Sequence, residues 1–138
     1  MDHTGYVLDE QIGFLLRRVT QRHLAIFARE IPQVTTTQFA LLARLAELGP
    51  QSQNALGRET AMDAATVKGV VDRLVRQGLV ATAPDPADRR RRTVALTPEG
   101  RALFDRLAPV ALQVSALTLE PLEDKDAALL TRLLARLA

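Results

Sequence analysis

The chain has no cysteine and no tryptophan, and its aromatic content rests on one tyrosine and four phenylalanines. Without cysteine there is no disulfide, no thiolate metal site and no thiol redox switch, so a whole class of sensors is excluded. Histidine is scarce as well: His3 lies in a terminus expected to fray, and His23 falls within an amphipathic stretch. With so few candidates, no Ser/His/Asp or Cys/His set can converge, and no glycine-rich phosphate loop is present. Neither an enzyme nor a bound metal or cofactor is expected. Uninterrupted apolar runs fall well short of the roughly 18 residues of a membrane span. The start Met1-Asp2-His3-Thr4-Gly5 lacks the basic and apolar regions of a signal peptide, so a cytoplasmic protein with no membrane partner is expected.

A strong charge of one sign is also missing, since the formal net charge is only +2. The distribution is more informative. Residues 52 to 101 carry nine Lys/Arg against six Asp/Glu, giving +3, and the remainder carries nine against ten, giving −1. A local basic cluster matters more for nucleic acid than the total. What is abundant is aliphatic side chain: 47% of the 138 residues are hydrophobic, enough for one sizeable core in a single folded unit.

Ile12, Leu16, Val19, His23, Ile26 and Phe27 recur at three- and four-residue steps, which predicts a long amphipathic helix between Leu8 and Ile31, ended by Pro32. Thr35 to Thr37 offer caps for a second helix that stops at Gly49-Pro50. Ser52 caps a short third helix, and Asp63 caps a fourth with buried positions Val67, Val70, Val71 and Leu74, stopping at Gly78. Leu79 to Ala83 and Thr93 to Thr97 read as a two-stranded hairpin around a tip that holds Asp88 and Arg89 to Arg92. Thr97-Pro98-Glu99 starts a long helix running to about Thr118, whose Leu103, Leu107, Val110, Val114 and Leu117 form a heptad seam that wants a partner. A leucine-striped helix follows Pro121.

Two short helices joined by a turn and followed at once by a hairpin make a winged helix-turn-helix over residues 52–60, 63–77 and 79–97. A helix fits the major groove of duplex DNA with its N-terminal side chains against base edges, which here designates Thr66 and Lys68. Ser52, Gln53 and Arg73 are candidates for phosphate, and Arg89 and Arg90 for the narrow minor groove, whose negative potential attracts guanidinium groups. Asp88 can orient a neighbouring arginine. The competing reading is a helical protein-interaction module whose arginine loop binds an acidic partner.

The stretch Thr66-Val67-Lys68-Gly69-Val70-Val71-Asp72-Arg73-Leu74-Val75-Arg76-Gln77-Gly78-Leu79-Val80, then Asp88-Arg89-Arg90, then Val94 to Gly100, resembles the MarR family of bacterial transcription regulators. The resemblance implies a mainly α fold: a winged helix-turn-helix of about six helices and a β-hairpin wing, within an intertwined helical homodimer. It places the DNA-binding lobe at 36–97 and the dimerisation region at 8–32 and 98–138. It further implies that Asp88 and Arg90 are the wing signature, with Arg90 entering the minor groove. One departure is Leu56-Gly57, where a leucine-alanine pair is usual; a cost in helix stability without a change of fold is expected.

An uncovered amphipathic helix and heptad seam independently call for a second copy, and a twofold dimer calls for an inverted-repeat operator. Family members commonly bind small aromatic acids. The segment from Asp9 to Arg18 and the Gln21-Arg22-His23 after it are similar to branches responding to hydroxybenzoate- or hydroxynicotinate-like carboxylates and related aryl thioesters. That similarity implies an effector site with Arg17 or Arg18 on the carboxylate, His23 on a ring substituent, and Phe27 and Phe39 nearby. The family is usually repressive.

Overall fold

A computed structural model describes residues 5–138, so His3 and the segment before Gly5 lie outside the described residues. A 3-10 turn at Leu8–Glu10 precedes six helices: α1 (Ile12–Glu30), α2 (Thr36–Leu48), α3 (Gln53–Glu59), α4 (Ala64–Arg76), α5 (Pro98–Leu119) and α6 (Asp124–Leu137). Three short strands, β1 (Gln51–Ser52), β2 (Val80–Pro84) and β3 (Arg92–Leu96), form one antiparallel sheet in the order β1-β3-β2. The chain divides into two compact units, one made of the residues up to Glu30 with Ala111–Ala138, the other of Ile31–Val110.

In the unit Ile31–Val110, α2 opens with a reciprocal cap: Thr35 Oγ1 accepts from the Gln38 amide at 3.2 Å, and Gln38 Oε1 accepts from the Thr35 amide at 3.0 Å. This dictates an abrupt helix start and explains why Gln38 is the buried polar side chain among the described residues. Leu41, Leu42 and Leu45 of α2 pack in the same core as Leu56 of α3 and Val67, Val71 and Leu74 of α4. Phe39 stacks on Phe104 of α5, with ring centroids 5.5 Å apart and planes 28° from parallel.

Helix α4 ends as its sequence demands. Gly78 takes a positive φ of 74°, its amide bonds the Val75 carbonyl, and the Leu79 amide bonds back to Leu74. Leu79 and Val80 then enter the core as β2 begins.

Three expectations change. The helix predicted from Leu8 is interrupted at Gln11, which is extended (φ −89°, ψ 133°) and accepts from the Leu15 amide, so α1 proper starts at Ile12. The predicted two-stranded hairpin is a three-stranded sheet, because Gln51 and Ser52 pair with Val94 and Thr93. Two residues are too few to show a strand period; Gly49, at φ 78°, and Pro50 turn the chain out of α2 and bring them to the β3 edge. The strands also extend to Pro84 and Arg92, which pair with each other; Pro84 is tolerated because it ends an edge strand.

The start of α5 is held by backbone contact. Thr97 Oγ1 accepts from the Gly100 amide at 3.0 Å and donates to the Gly78 carbonyl at 2.7 Å, while the Thr97 amide donates to Leu79 at 3.1 Å. A Cβ at Gly100 would fall 1.9 Å from the Leu79 carbonyl oxygen. Helix α5 carries Pro109, which removes one bond from its ladder, and the unit boundary falls after Val110. Among the described residues α5 is also long and apolar enough by composition to cross a membrane, although no uninterrupted apolar run announces it. Its Leu107 and Val114 are buried.

The unit that holds α1 and α6 has little core of its own. Of the seventeen buried apolar residues among those described, fourteen lie in Ile31–Val110, and only Ile26, Phe27 and Val114 lie in the other unit. Ile12, Leu16 and Val19 of α1 are exposed, as are Leu129, Leu133, Leu134 and Leu137 of α6, a helix with no buried residue.

Gly100→Ala tests the α5 junction. Since backbone and not a flexible side chain opposes the new methyl group, the substitution is expected to destabilise by about 1–3 kcal/mol or more. Thermal unfolding with a melting temperature equal to that of the wild type would show that the junction opens freely.

Candidate nucleic-acid interface

Helix α4 exposes the side chains at its start. Asp63 caps it by accepting from the Thr66 amide at 2.7 Å, and this leaves Ala64, Ala65, Thr66, Lys68 and Gly69 on the solvent side. The opposite face, Val67, Val70, Val71 and Leu74, is buried, so the helix is locked about its own axis. The amides bonding to Asp63 stabilise its charged form and hold its carboxyl below the ordinary carboxylate value. Lys68 Nζ lies 2.9 Å from Asp72 one turn on. An exposed i,i+4 pair of this kind contributes only about 0.3–0.5 kcal/mol, so a phosphate or base edge can draw the lysine away.

Helix α3 meets α4 at Gly57. The Gly57 carbonyl accepts from the Met62 amide at 2.8 Å, and a Cβ on Gly57 would lie 3.1 Å from the Met62 oxygen and 3.4 Å from a Val67 methyl. The glycine therefore relieves a tight approach at the crossing, which adds a packing role to its cost in helix propensity. The turn itself holds Ala61 at a positive φ of 56°.

The wing tip is ordered from within. Asp85 Oδ1 accepts from the Ala87 amide at 2.8 Å, and the Asp85 amide bonds the Arg91 carbonyl at 2.9 Å, closing the loop. Asp88 accepts from the Arg90 amide at 3.0 Å and from its Nε at 3.2 Å, with Arg91 Nε at 3.9 Å. The side-chain bond from Arg90 is the main reason that the Asp88 carboxyl lies below its ordinary value. The Arg90 side chain is 91% exposed, so it is oriented by Asp88 while its outer face stays open. Arg92 instead turns back across the strands and donates to Thr82. Arg89 and Arg73 are exposed.

Ser52 ends β1 and caps α3, accepting from the Ala55 amide at 3.1 Å. With Gln53, Asn54, Arg90, Arg91 and Arg92 it lines a cavity of about 190 Å3. The expected Ser52, Gln53 and Arg90 are thus brought together, while Thr66, Lys68 and Arg73 stand apart on the exposed side of α4. The sequence reading missed Asn54 and the inward turn of Arg92. Asn54 lies two residues after the Ser52 cap, but the Arg92 contact depends on cross-strand register, which the tip sequence does not reveal.

In the other unit, Arg17 and Arg18 are exposed, and the Arg18 guanidinium stands 5.9 Å from the centre of the Phe14 ring. His23 is half-buried, with Nδ1 2.8 Å from Thr118 Oγ1. Phe27 is buried. Phe39 belongs to the unit Ile31–Val110, where it faces Phe104. Arg22, not assigned a role from the sequence, donates to the Thr118 and Leu117 carbonyls at 2.6 and 2.9 Å.

Comparison with known proteins bears on the arrangement of α3, α4 and the wing. The model of the MarR family matches residues 33–91. The HTH-type transcriptional repressor NicR of Pseudomonas putida is 46% identical over 121 residues, covering 86% of this chain and 77% of its own. This chain belongs to the MarR family. A probable transcriptional regulator from Pseudomonas aeruginosa superposes with a TM-score of 0.93 at 49% identity, over 96% of this chain and all of the other. Bordetella bronchiseptica BpsR, whose structure concerns regulation of DNA binding by 6-hydroxynicotinic acid, gives 0.91 at 42% identity, over 96% of each chain. The chain is accordingly a transcription regulator of MarR type with a winged helix-turn-helix, and these relatives are named as regulators rather than enzymes.

The depressed carboxyl of Asp63 makes a prediction with a defined sign. A group whose folded value is lowered contributes stability above its unfolded value, near 3.8, and loses it as pH falls through the lower folded value. Between those two values the wild type is expected to lose more stability on acidification than Asp63→Asn, which has no carboxylate to protonate. Parallel thermal unfolding series for the two proteins, with no difference in slope over that window, would contradict the cap's charge as the source.

Proposed function

We infer that this protein is a cytoplasmic homodimeric repressor that binds an inverted-repeat operator in duplex DNA and is released by a small aromatic carboxylate or related aryl thioester. The observation that carries the DNA reading is the Asp88–Arg90 pair: an arginine oriented by its own neighbour, open on its outer face, at the tip of a closed wing loop. A guanidinium ordered before binding loses less entropy when it enters a minor groove. In this reading Thr66 and Lys68 meet base edges, Ser52, Gln53 and Arg73 bind phosphates, and Arg89 faces the minor groove with Arg90.

Residues 36–97 form the DNA-binding lobe of this reading, and 8–32 with 98–138 the dimerisation region. Dimerisation is supported by the leucines of α6 and the exposed apolar residues of α1, which a single chain leaves in water. Twofold symmetry would set two α4 helices on half-sites about one helical turn apart.

The repressor role and the aromatic effector are carried by likeness to NicR, named a repressor, and to BpsR, regulated by 6-hydroxynicotinic acid. The effector contacts of this reading are Arg17 or Arg18, His23, Phe27 and Phe39. For an acid to release DNA it must bind the form that cannot hold the operator more tightly than the form that can.

Genomic selection of bound fragments followed by fluorescence anisotropy tests the DNA reading. Arg90→Ala is expected to weaken operator binding on the order of tenfold or more. Arg92→Ala, whose guanidinium already faces Thr82, should cost clearly less. Equal losses would return the arginines to a general phosphate patch, and absence of any DNA affinity in the wild type would favour the protein-interaction module. On the same operator, millimolar 6-hydroxynicotinate is expected to release the wild-type protein; undisturbed binding across a panel of aromatic acids would overturn the effector assignment.

A further inference from the structure

The Thr118 hydroxyl of α5 stands between two partners. It donates to the Val114 carbonyl one turn earlier, at 2.9 Å, and lies 2.8 Å from Nδ1 of His23 on α1. A hydroxyl has a single proton. With that proton committed to Val114, Oγ1 can only accept from the imidazole, so Nδ1 carries a hydrogen. In the neutral ring Nε2 is then bare, an acceptor with no partner among the described residues.

A second contact holds this arrangement. Arg22, the residue before His23, donates Nη1 to the Thr118 carbonyl and Nη2 to the Leu117 carbonyl, at 2.6 and 2.9 Å. These carbonyls belong to the last turn of α5, where the i→i+4 ladder runs out, although Leu117 also accepts from the Glu120 amide at 3.4 Å. One residue, Thr118, is thus gripped through its main chain by Arg22 and through its side chain by His23. The ring cannot exchange tautomers unless the Thr118 hydroxyl leaves the Val114 carbonyl and turns its proton toward Nδ1.

We propose that Thr118 is a positioning residue that holds His23 as the Nδ1–H tautomer, so that Nε2 reads a hydrogen-bond donor on the effector ring, either a hydroxyl or a ring N–H. The tautomer stands on the geometry alone; the recognition of a donor rests on the effector reading above. An unconstrained imidazole favours the opposite, Nε2–H, form. The chemistry selects against aromatic acids whose ring oxygen is alkylated, since two acceptors would then face each other.

Long-range proton–nitrogen correlation spectra of the 15N-labelled protein, taken at alkaline pH, decide the tautomer. His23 is expected as Nδ1–H in the wild type, to revert toward Nε2–H in Thr118→Val, and to remain Nδ1–H in Thr118→Ser, which keeps the hydroxyl. Nε2–H in the wild type, or a spectrum unmoved by Thr118→Val, would overturn the assignment. Calorimetry with 6-hydroxynicotinate and 6-methoxynicotinate then tests recognition, because the methyl ether has no donor on that side. About tenfold tighter binding of the hydroxy acid is expected in the wild type and in Thr118→Ser, with the ratio collapsing in Thr118→Val. Equal binding of both acids by the wild type would refute the acceptor role while leaving the effector reading intact. Binding of neither would overturn that reading and the recognition it supports, with the tautomer decided by the spectra.

Discussion

Helix α5 can begin beside strand β2 only because residue 100 has no side chain. The Leu79 carbonyl occupies the space where a Cβ would go, and it also receives the Thr97 amide, while the Thr97 hydroxyl reaches the Gly78 carbonyl. The residues that end α4, open β2 and start α5 are thereby tied at one point. From that point the pairing of Val80 with Leu96 sets the register of the whole hairpin, through to Pro84 opposite Arg92. The position of the wing relative to α4 follows from this junction, and with it the direction in which the arginines point. A glycine that looks incidental in a helix start is therefore a condition for the placement of the wing.

Order at the wing tip comes from polar contacts rather than burial. Asp85 and Asp88 each bond backbone amides, and Asp88 also draws in the Arg90 side chain. The loop offers oriented cations without an apolar core beneath them. Charge pairing at such exposure contributes little to stability. Its consequence is orientation.

The two compact units differ in what holds them. Ile31–Val110 has a continuous aliphatic core, with fully buried leucines on α2, α3 and α4. The unit of α1, α6 and the end of α5 has three buried apolar residues and two helices whose leucine and isoleucine faces remain exposed. Its internal contacts are instead polar and specific: Arg22 on the end of α5, and His23 on Thr118. Exposed apolar faces and a polar clamp around His23 thus lie in the same unit.

Most of the fold was legible in the sequence because its signals are local. The caps at Thr35, Ser52, Asp63 and Thr97, the stop at Gly78 and the helical spacing of Val67, Val70, Val71 and Leu74 each act within a few residues, and the helices they predict are present. The Asp88-Arg89-Arg90 motif was equally legible, since the aspartate bonds its own near neighbours. What the sequence could not decide depended on contacts between distant residues. The pairing of Gln51 and Ser52 with β3 requires the sheet edge to be in place, and the turn of Arg92 onto Thr82 requires the register. The break at Gln11 reflects hydrogen bonding of a single residue, too small a unit for periodicity to report. Arg22 and Thr118 are 96 positions apart, and only the packing of α1 against the end of α5 turns an ordinary surface pair of residue types into the clamp that assigns the proton of His23.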